Sequence, residues 1–152
     1  MVFYYTFTQK TKIFAEILGE LKKLDVYGLE CDLNKKSNIA FTFGALMSCI
    51  TKKSIAVNNM PPTVSNEIYV CSPVWGGELA APVKYFLENM DLKGTKVNIL
   101  LTAGVPVEKY KNNALEFLQK VPCEVGNAYI FATDNKTHHD REVIKEHLGE
   151  ML

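Results

Sequence analysis

The stretch Ile68-Tyr69-Val70-Cys71-Ser72-Pro73-Val74-Trp75-Gly76-Gly77-Glu78 decides how this chain is read. Its first four residues are continuously apolar, β-branched or aromatic, without alternation, as in a strand buried on both faces. They run into a proline, the only Trp of the chain and two glycines, which read as a loop. Working outward, four more runs have the same character: Val2-Phe3-Tyr4-Tyr5, Val26-Tyr27-Gly28-Leu29, Val97-Asn98-Ile99-Leu100-Leu101 and Ala128-Tyr129-Ile130-Phe131-Ala132. Five buried strands are expected.

Helical stripes fill the intervals. In residues 11–24, Ile13, Phe14, Ile17, Leu18, Leu21 and Leu24 share one face, and Lys12, Glu16, Glu20 and Lys23 the other. Residues 79–90, 108–121 and 141–151 repeat the pattern, with Pro82 in a first turn where its missing N–H costs nothing. Residues 41–53 are apolar on most sides, which predicts a well-buried helix. Residues 57–67, with Pro61-Pro62 and three Asn, read as a loop. Strands alternating with helices over short connections predict an α/β three-layer sandwich: a parallel sheet with helices on both faces, built by right-handed crossovers.

At 152 residues, one domain spanning 1–152 is expected. Apolar residues make up 47% and charged residues 22%, ordinary globular usage that argues against disorder or coiled coil. Seventeen basic and 17 acidic residues cancel, so nothing drives binding to a phosphate backbone, and nucleic acid is not expected as a partner. No apolar run nears the roughly 20 residues that span a bilayer, so no membrane partner is expected. The N-terminus lacks the pattern of a secretory signal, which predicts a cytoplasmic protein. Cys31, Cys49, Cys71 and Cys123 form no Cys-x-x-Cys pair and read as free thiols. His138 and His139 lie in a polar stretch and read as exposed loop residues; no metal site and no Ser-His-Asp grouping is expected.

Ligands of open α/β sheets bind beyond the carboxyl ends of the strands, where strand order reverses. Three loops fall there. Thr6-Phe7-Thr8-Gln9-Lys10-Thr11 offers three hydroxyls, one ammonium and a helix N-terminus, the makings of an anion site; alternatively, Thr8 or Thr11 simply caps the helix. Pro73-Val74-Trp75-Gly76-Gly77 offers a wide aromatic face and close backbone approach, suited to a flat ligand, or else a Trp that covers the core. Glu78 is expected to face the next helix's N-terminus. Thr102-Ala103-Gly104 is either a ligand contact or an ordinary strand-to-helix turn.

Together these loops resemble those of the flavodoxin family. Thr6, Thr8 and Thr11 stand at the hydroxyl positions of that family's phosphate loop. Residues 72–77 and the Ala81-Pro82-Val83 helix resemble its second flavin loop. Asp91-Leu92-Lys93-Gly94 leading to Thr102-Ala103-Gly104 resembles the entry to, and exit from, its fourth strand. The likeness runs in order through nearly the whole chain, at the length of a short-chain member. It implies strand order 2-1-3-4-5 and bound FMN. The phosphate would be held by Thr6, Thr8, Gln9, Lys10 and Thr11, and the ring by Pro73, Val74, Trp75, Gly76, Gly77, Thr102, Ala103 and Gly104. Trp75 would stack on one ring face; Tyr110 is a second stacking candidate that also fits its helix's core stripe.

The resemblance implies electron transfer through a non-covalently bound flavin to a redox partner protein. Stacking against Trp75 in a poorly solvated loop would disfavour negative charge on the reduced ring and lower its potential. If one ring face stays open, NAD(P)H could deliver hydride there, making the protein an oxidoreductase of quinones or flavins, and a homodimer could complete the site. A flavin-free interaction module is the third possibility. Response-regulator receivers share the sheet order but need acidic residues after the first strand, which Tyr5-Thr6-Phe7 lacks. Two departures stand out. Gln9 replaces a usual Gly, so a positive φ there would store about 1–2 kcal/mol. Net charge zero contrasts with acidic carriers, which use their charge to find basic partners.

Overall fold

The computed structural model describes residues 1–35, 37–133 and 140–151. Strand β1 (Val2–Tyr4) leads to helix α1 (Lys10–Lys22) and strand β2 (Val26–Gly28). A 3₁₀ turn at Asp32–Lys35 precedes α2 (Asn38–Thr51). Strand β3 (Glu67–Trp75) turns back through the two-residue β4 (Glu78–Leu79) into α3 (Ala81–Asn89). Then come β5 (Lys96–Ala103), α4 (Glu108–Leu118), β6 (Glu124–Ala132) and α5 (Arg141–Met151). The main sheet is parallel, in the order β2-β1-β3-β5-β6, the expected 2-1-3-4-5 with β4 as an added antiparallel finger on β3.

The apolar runs do not alternate because both faces are covered. Val2, Tyr69, Cys71, Leu100 and Phe131 turn toward one layer, against Phe14, Ile17 and Leu18 of α1 and Ile144 and Leu148 of α5. Phe3, Ile68, Val70, Ile99 and Leu101 turn the other way, against Val83, Phe86 and Leu87 of α3 and Ala114 and Leu118 of α4. Arg141 bridges the first layer, reaching Glu16 at 3.3 Å and Glu20 at 2.6 Å across α5 and α1.

Among the described residues, three polar residues of the sheet strands are buried: Ser72, Asn98 and Thr102. Asn98 sits where β6 bulges, with Gly126 and Asn127 between the rungs Val97↔Val125 and Ile99↔Ala128. Its Oδ1 accepts from the Asn127 N–H at 3.0 Å and its Nδ2 donates to Glu67 at 3.0 Å, so the buried side-chain amide and the Asn127 N–H both have partners at the bulge.

Three expectations are corrected. The region after Cys71 is not a loop: β3 continues through Ser72, Pro73, Val74 and Trp75, and only Gly76 and Gly77 turn. Pro73 is tolerated because Cys71, two residues earlier, aims its carbonyl at Tyr5 N–H on the β1 side. The ladder with β1 ends at Cys71, so Pro73 forfeits no ladder bond on that side. Second, the sheet has six strands, not five; β4 is too short to register as a run. Third, α2 is not well buried. Phe41 and Ser48 are its only buried residues, while Ile39, Phe43, Leu46, Met47 and Ile50 are exposed. His138 and His139 lie outside the described residues.

Candidate functional site

The carboxyl ends of β1, β3 and β5 meet where the chain reverses direction across the sheet, and the three loops converge there. After β1, Tyr5 and Thr6 are still buried, and Asn34 of the 3₁₀ turn pins the loop by donating from Nδ2 to the Thr6 carbonyl at 3.2 Å. Thr8 and Gln9 are exposed. Gln9 is the residue before α1, with φ +66°, and no side chain caps the helix. Neither Thr8 nor Thr11 is therefore the cap. No acidic residue occupies the first turn, so its amides keep their positive end toward the crevice. The Gln9 strain foreseen from the sequence is present.

Thr11 lies inside the first turn, buried, with Oγ1 2.8 Å from Thr102 Oγ1 near the end of β5. That contact ties the first loop to the third. Lys10 reaches across the same edge and donates to the Thr133 carbonyl at 3.2 Å, while Thr133 N–H donates to the Ala103 carbonyl at 2.8 Å. Gly104 is exposed, its φ lies outside the left-handed region, and a Cβ there would meet none of the described residues within 4 Å. Neither backbone geometry nor packing among the described residues requires glycine at this position.

Trp75 is half-buried at the end of β3. Tyr5 and Phe41 each meet it edge to face, centroids 5.5 Å away, and Phe7 stacks on Phe41 at 3.5 Å. Edge-to-face pairs of this kind fix the indole beyond what burial alone achieves. The Tyr5 hydroxyl, near the Cys31 thiol at 3.7 Å, is pushed well above its ordinary pKa, first by burial and then by Cys31. It stays protonated. Val74 pairs with Leu79 and Trp75 with Glu78 across a turn with φ +58° at Gly76 and +87° at Gly77, the geometry of a type I′ hairpin.

Helices grip that turn from both sides. A Cβ on Gly76 would sit 3.2 Å from Cys49 Sγ of α2, and one on Gly77 3.4 Å from the Tyr110 ring of α4. Asn113 Nδ2 donates to the Gly77 carbonyl at 2.9 Å. Tyr110 packs against the core, as its helix's stripe predicts, and its ring also flanks the hairpin. Glu78 finds its partner at the start of α3 (Ala81–Asn89). Its carboxylate is taken by the Lys84 ammonium, with Lys52 4.0 Å away, and the Lys84 hydrogen bond holds it below its usual range.

Asn34, Phe41, Asn113 and the Thr11–Thr102 pairing could not be found from the sequence. Isolated Asn residues and an aromatic on a helix carry no spacing signal; only their tertiary partners reveal them. Among the described residues no His, Cys, Asp and Glu group could hold a metal ion.

No protein-family model and no curated protein sequence matches this chain. Solved structures do. A protein from Bacteroides uniformis assigned as a flavoprotein superposes over 98% of this chain and 96% of its own, with TM-score 0.73 and 19% identity. A Lactobacillus acidophilus flavoprotein in complex with FMN matches 85% of this chain and 90% of its own, at TM-score 0.67 and 23% identity. Megasphaera elsdenii flavodoxin covers 99% of both, at TM-score 0.55 and 17% identity. The chain has the flavodoxin fold. Its strand order, its long third strand and its crevice beyond β1, β3 and β5 are those of a flavodoxin-like sheet with a β4 finger added. No helix among the described residues is long and apolar enough to cross a membrane.

Proposed function

We propose that this chain binds FMN non-covalently and acts in electron transfer. The observation that carries this reading is the first turn of α1, uncapped, free of acidic residues, entered through a left-handed residue and set at the sheet's switch point. That donor set fits a phosphate. Thr6, Thr8 and Thr11 add hydroxyls, and the Thr11–Thr102 pair can leave the Thr11 proton free to donate outward while Thr102 donates to Thr11. Gln9 and Lys10 would contribute their amides; the Lys10 ammonium already serves Thr133.

The ring would lie against residues 73–77 and 102–104, with Trp75 and Tyr110 at its flanks. Tyr5 and Phe41 hold the indole in place, and Asn113 holds the turn. Bound flavin supplies one- and two-electron chemistry; the protein supplies orientation and exclusion of water. The FMN complex of the Lactobacillus acidophilus relative supports this choice of cofactor.

A second reading, hydride uptake from NAD(P)H by a quinone or flavin reductase, is favoured by the exposure of Gly104 and Val105, where none of the described residues lies over the glycine. The net charge of zero also fits it better than a carrier steered by acidic charge. FMN titration tests the common element. The single Trp reports directly: stacking should quench its fluorescence in step with a change in the flavin's visible spectrum. Absence of both would remove both redox readings and leave an interaction module. Anaerobic NADPH then separates them, since rapid bleaching without a partner protein marks a reductase and stable yellow colour a carrier.

A further inference from the structure

Helix α2 is built to lie on something. Its inner side is seated by Phe41 against Phe7 and Trp75, by Ser48, and by Gly44, where a Cβ would sit 2.7 Å from Leu33. Its outer side presents Ile39 (83% exposed), Phe43 (65%), Leu46, Met47 and Ile50 (66%). At 3.6 residues per turn these five fall within an arc of about 100°, opposite the seated face. Charge is absent from the whole helix.

The flanks carry the charge. From residue 33 to residue 66 the sequence has four lysines, Lys35, Lys36, Lys52 and Lys53, and no acidic residue, in a chain whose net charge is zero. Lys35, Lys52 and Lys53 are exposed at the two ends of a helix about 21 Å long. Lys52 lies 4.0 Å from Glu78 and is still 76% exposed. The hydroxyls of α2 are turned inward on its own backbone: Thr42 donates to the Asn38 carbonyl at 2.8 Å, Ser48 to Ala45 at 2.7 Å and Thr51 to Met47 at 2.8 Å. Side chains satisfied in this way lose little on leaving water.

We infer that α2 docks this protein, face down, on an anionic lipid surface, with the apolar arc at the acyl boundary and the lysines among the headgroups. The expectation of no membrane partner rested on the lack of a spanning segment; a surface helix needs none. A second copy fits less well. In either a parallel or an antiparallel pair, the lysines at the end of one helix meet lysines of the other. A protein partner would find almost no hydrogen-bonding group to read on this face. The inference does not depend on flavin binding.

Vesicle co-sedimentation of the full chain tests it. Phosphatidylcholine vesicles containing about one-third phosphatidylglycerol should retain the protein, and phosphatidylcholine alone should not. Phe43→Ser, Ile50→Ser and the pair Lys35→Gln/Lys53→Gln should each lower partitioning about tenfold, while Phe43→Leu retains it. All four positions are exposed, and far-UV circular dichroism should confirm that the variants fold. Failure to bind anionic vesicles, or binding unchanged by these substitutions, overturns the inference. So does a dimer in sedimentation equilibrium that Phe43→Ser dissociates, which would assign the face to a second copy. A monomer that ignores vesicles would hand the face to a protein partner.

Discussion

Thr11 and Thr102 join their hydroxyl oxygens at 2.8 Å, so that the first turn of α1 and the end of β5, strands apart in the sheet, share one buried hydrogen bond. Because both groups are buried, deleting either leaves the other without its partner. Thr11→Val or Thr102→Val should each cost about 1–3 kcal/mol in denaturant unfolding. The double variant should be less destabilised than the sum of the two, since replacing both partners removes the orphan. Additive costs would show that the two threonines act separately.

Gln9 has φ +66° at the entrance to α1. A Cβ in the left-handed region costs about 1–2 kcal/mol, partly offset by the lower entropy of a non-glycine unfolded chain. Gln9→Gly should therefore raise stability by about 0.5–1 kcal/mol and leave FMN affinity equal or tighter. Gln9→Val, β-branched and less tolerant of positive φ, should lower both. The readouts are the urea midpoint and the FMN dissociation constant.

Much of this was legible beforehand, for reasons that particular residues make plain. Val70 and Ile99 belong to uninterrupted apolar runs because helices cover both faces of their strands. Phe14 and Leu18 mark α1 because they recur at helical spacing on a buried face. The threonines and Trp75 were found as candidates by residue type and by their place after strands. What escaped is what depends on three dimensions. Apolar character in α2 predicts burial, but Phe41 and Phe43, two residues apart, end on opposite sides, one seated and one exposed. Periodicity reports a stripe and not what covers it. Glu78–Leu79 became a strand only because Gly76 and Gly77 reverse the chain onto Val74.

Trp75 should matter to the ligand more than to the fold. It is half-buried and held at its edges by Tyr5 and Phe41. Trp75→Ala should weaken FMN binding by about 1–3 kcal/mol, taking aromatic–base stacking as the guide. Trp75→Phe should recover part of the loss. Unchanged affinity in Trp75→Ala would return the indole to a purely structural role.

The acid limb of stability should bear the mark of Glu78. The Lys84 hydrogen bond lowers its folded-state pKa below the ordinary value of 4.5. A carboxyl with a depressed folded pKa stabilises above its unfolded pKa, and the contribution disappears as pH falls through the folded value. Stability should thus decline below about pH 4.5, and Glu78→Gln should make that decline shallower while lowering stability at neutral pH. Because the side chain is more than a third exposed, solvent screens the pair and the effect should be modest. Unfolding curves at a series of pH values in matched salt check it; parallel curves for the two proteins would show that the pair does not couple to folding.

Asn113 holds the hairpin by a single bond to the Gly77 carbonyl, 2.9 Å long and reaching from α4 to the turn between β3 and β4. The turn itself is strained for any residue but glycine, with φ +87° at Gly77 and the Tyr110 ring 3.4 Å from a would-be Cβ. Two substitutions should therefore separate its roles. Asn113→Ala removes one tether and should cost about 1 kcal/mol of stability, with the turn keeping its shape. Gly77→Ala forces a side chain into the left-handed region against Tyr110 and should cost more, about 1–3 kcal/mol. If residues 73–77 hold the flavin ring, Gly77→Ala should also weaken FMN binding by more than its loss of stability alone would produce at saturating folded protein. An intact FMN dissociation constant in folded Gly77→Ala would place the ring elsewhere along the crevice.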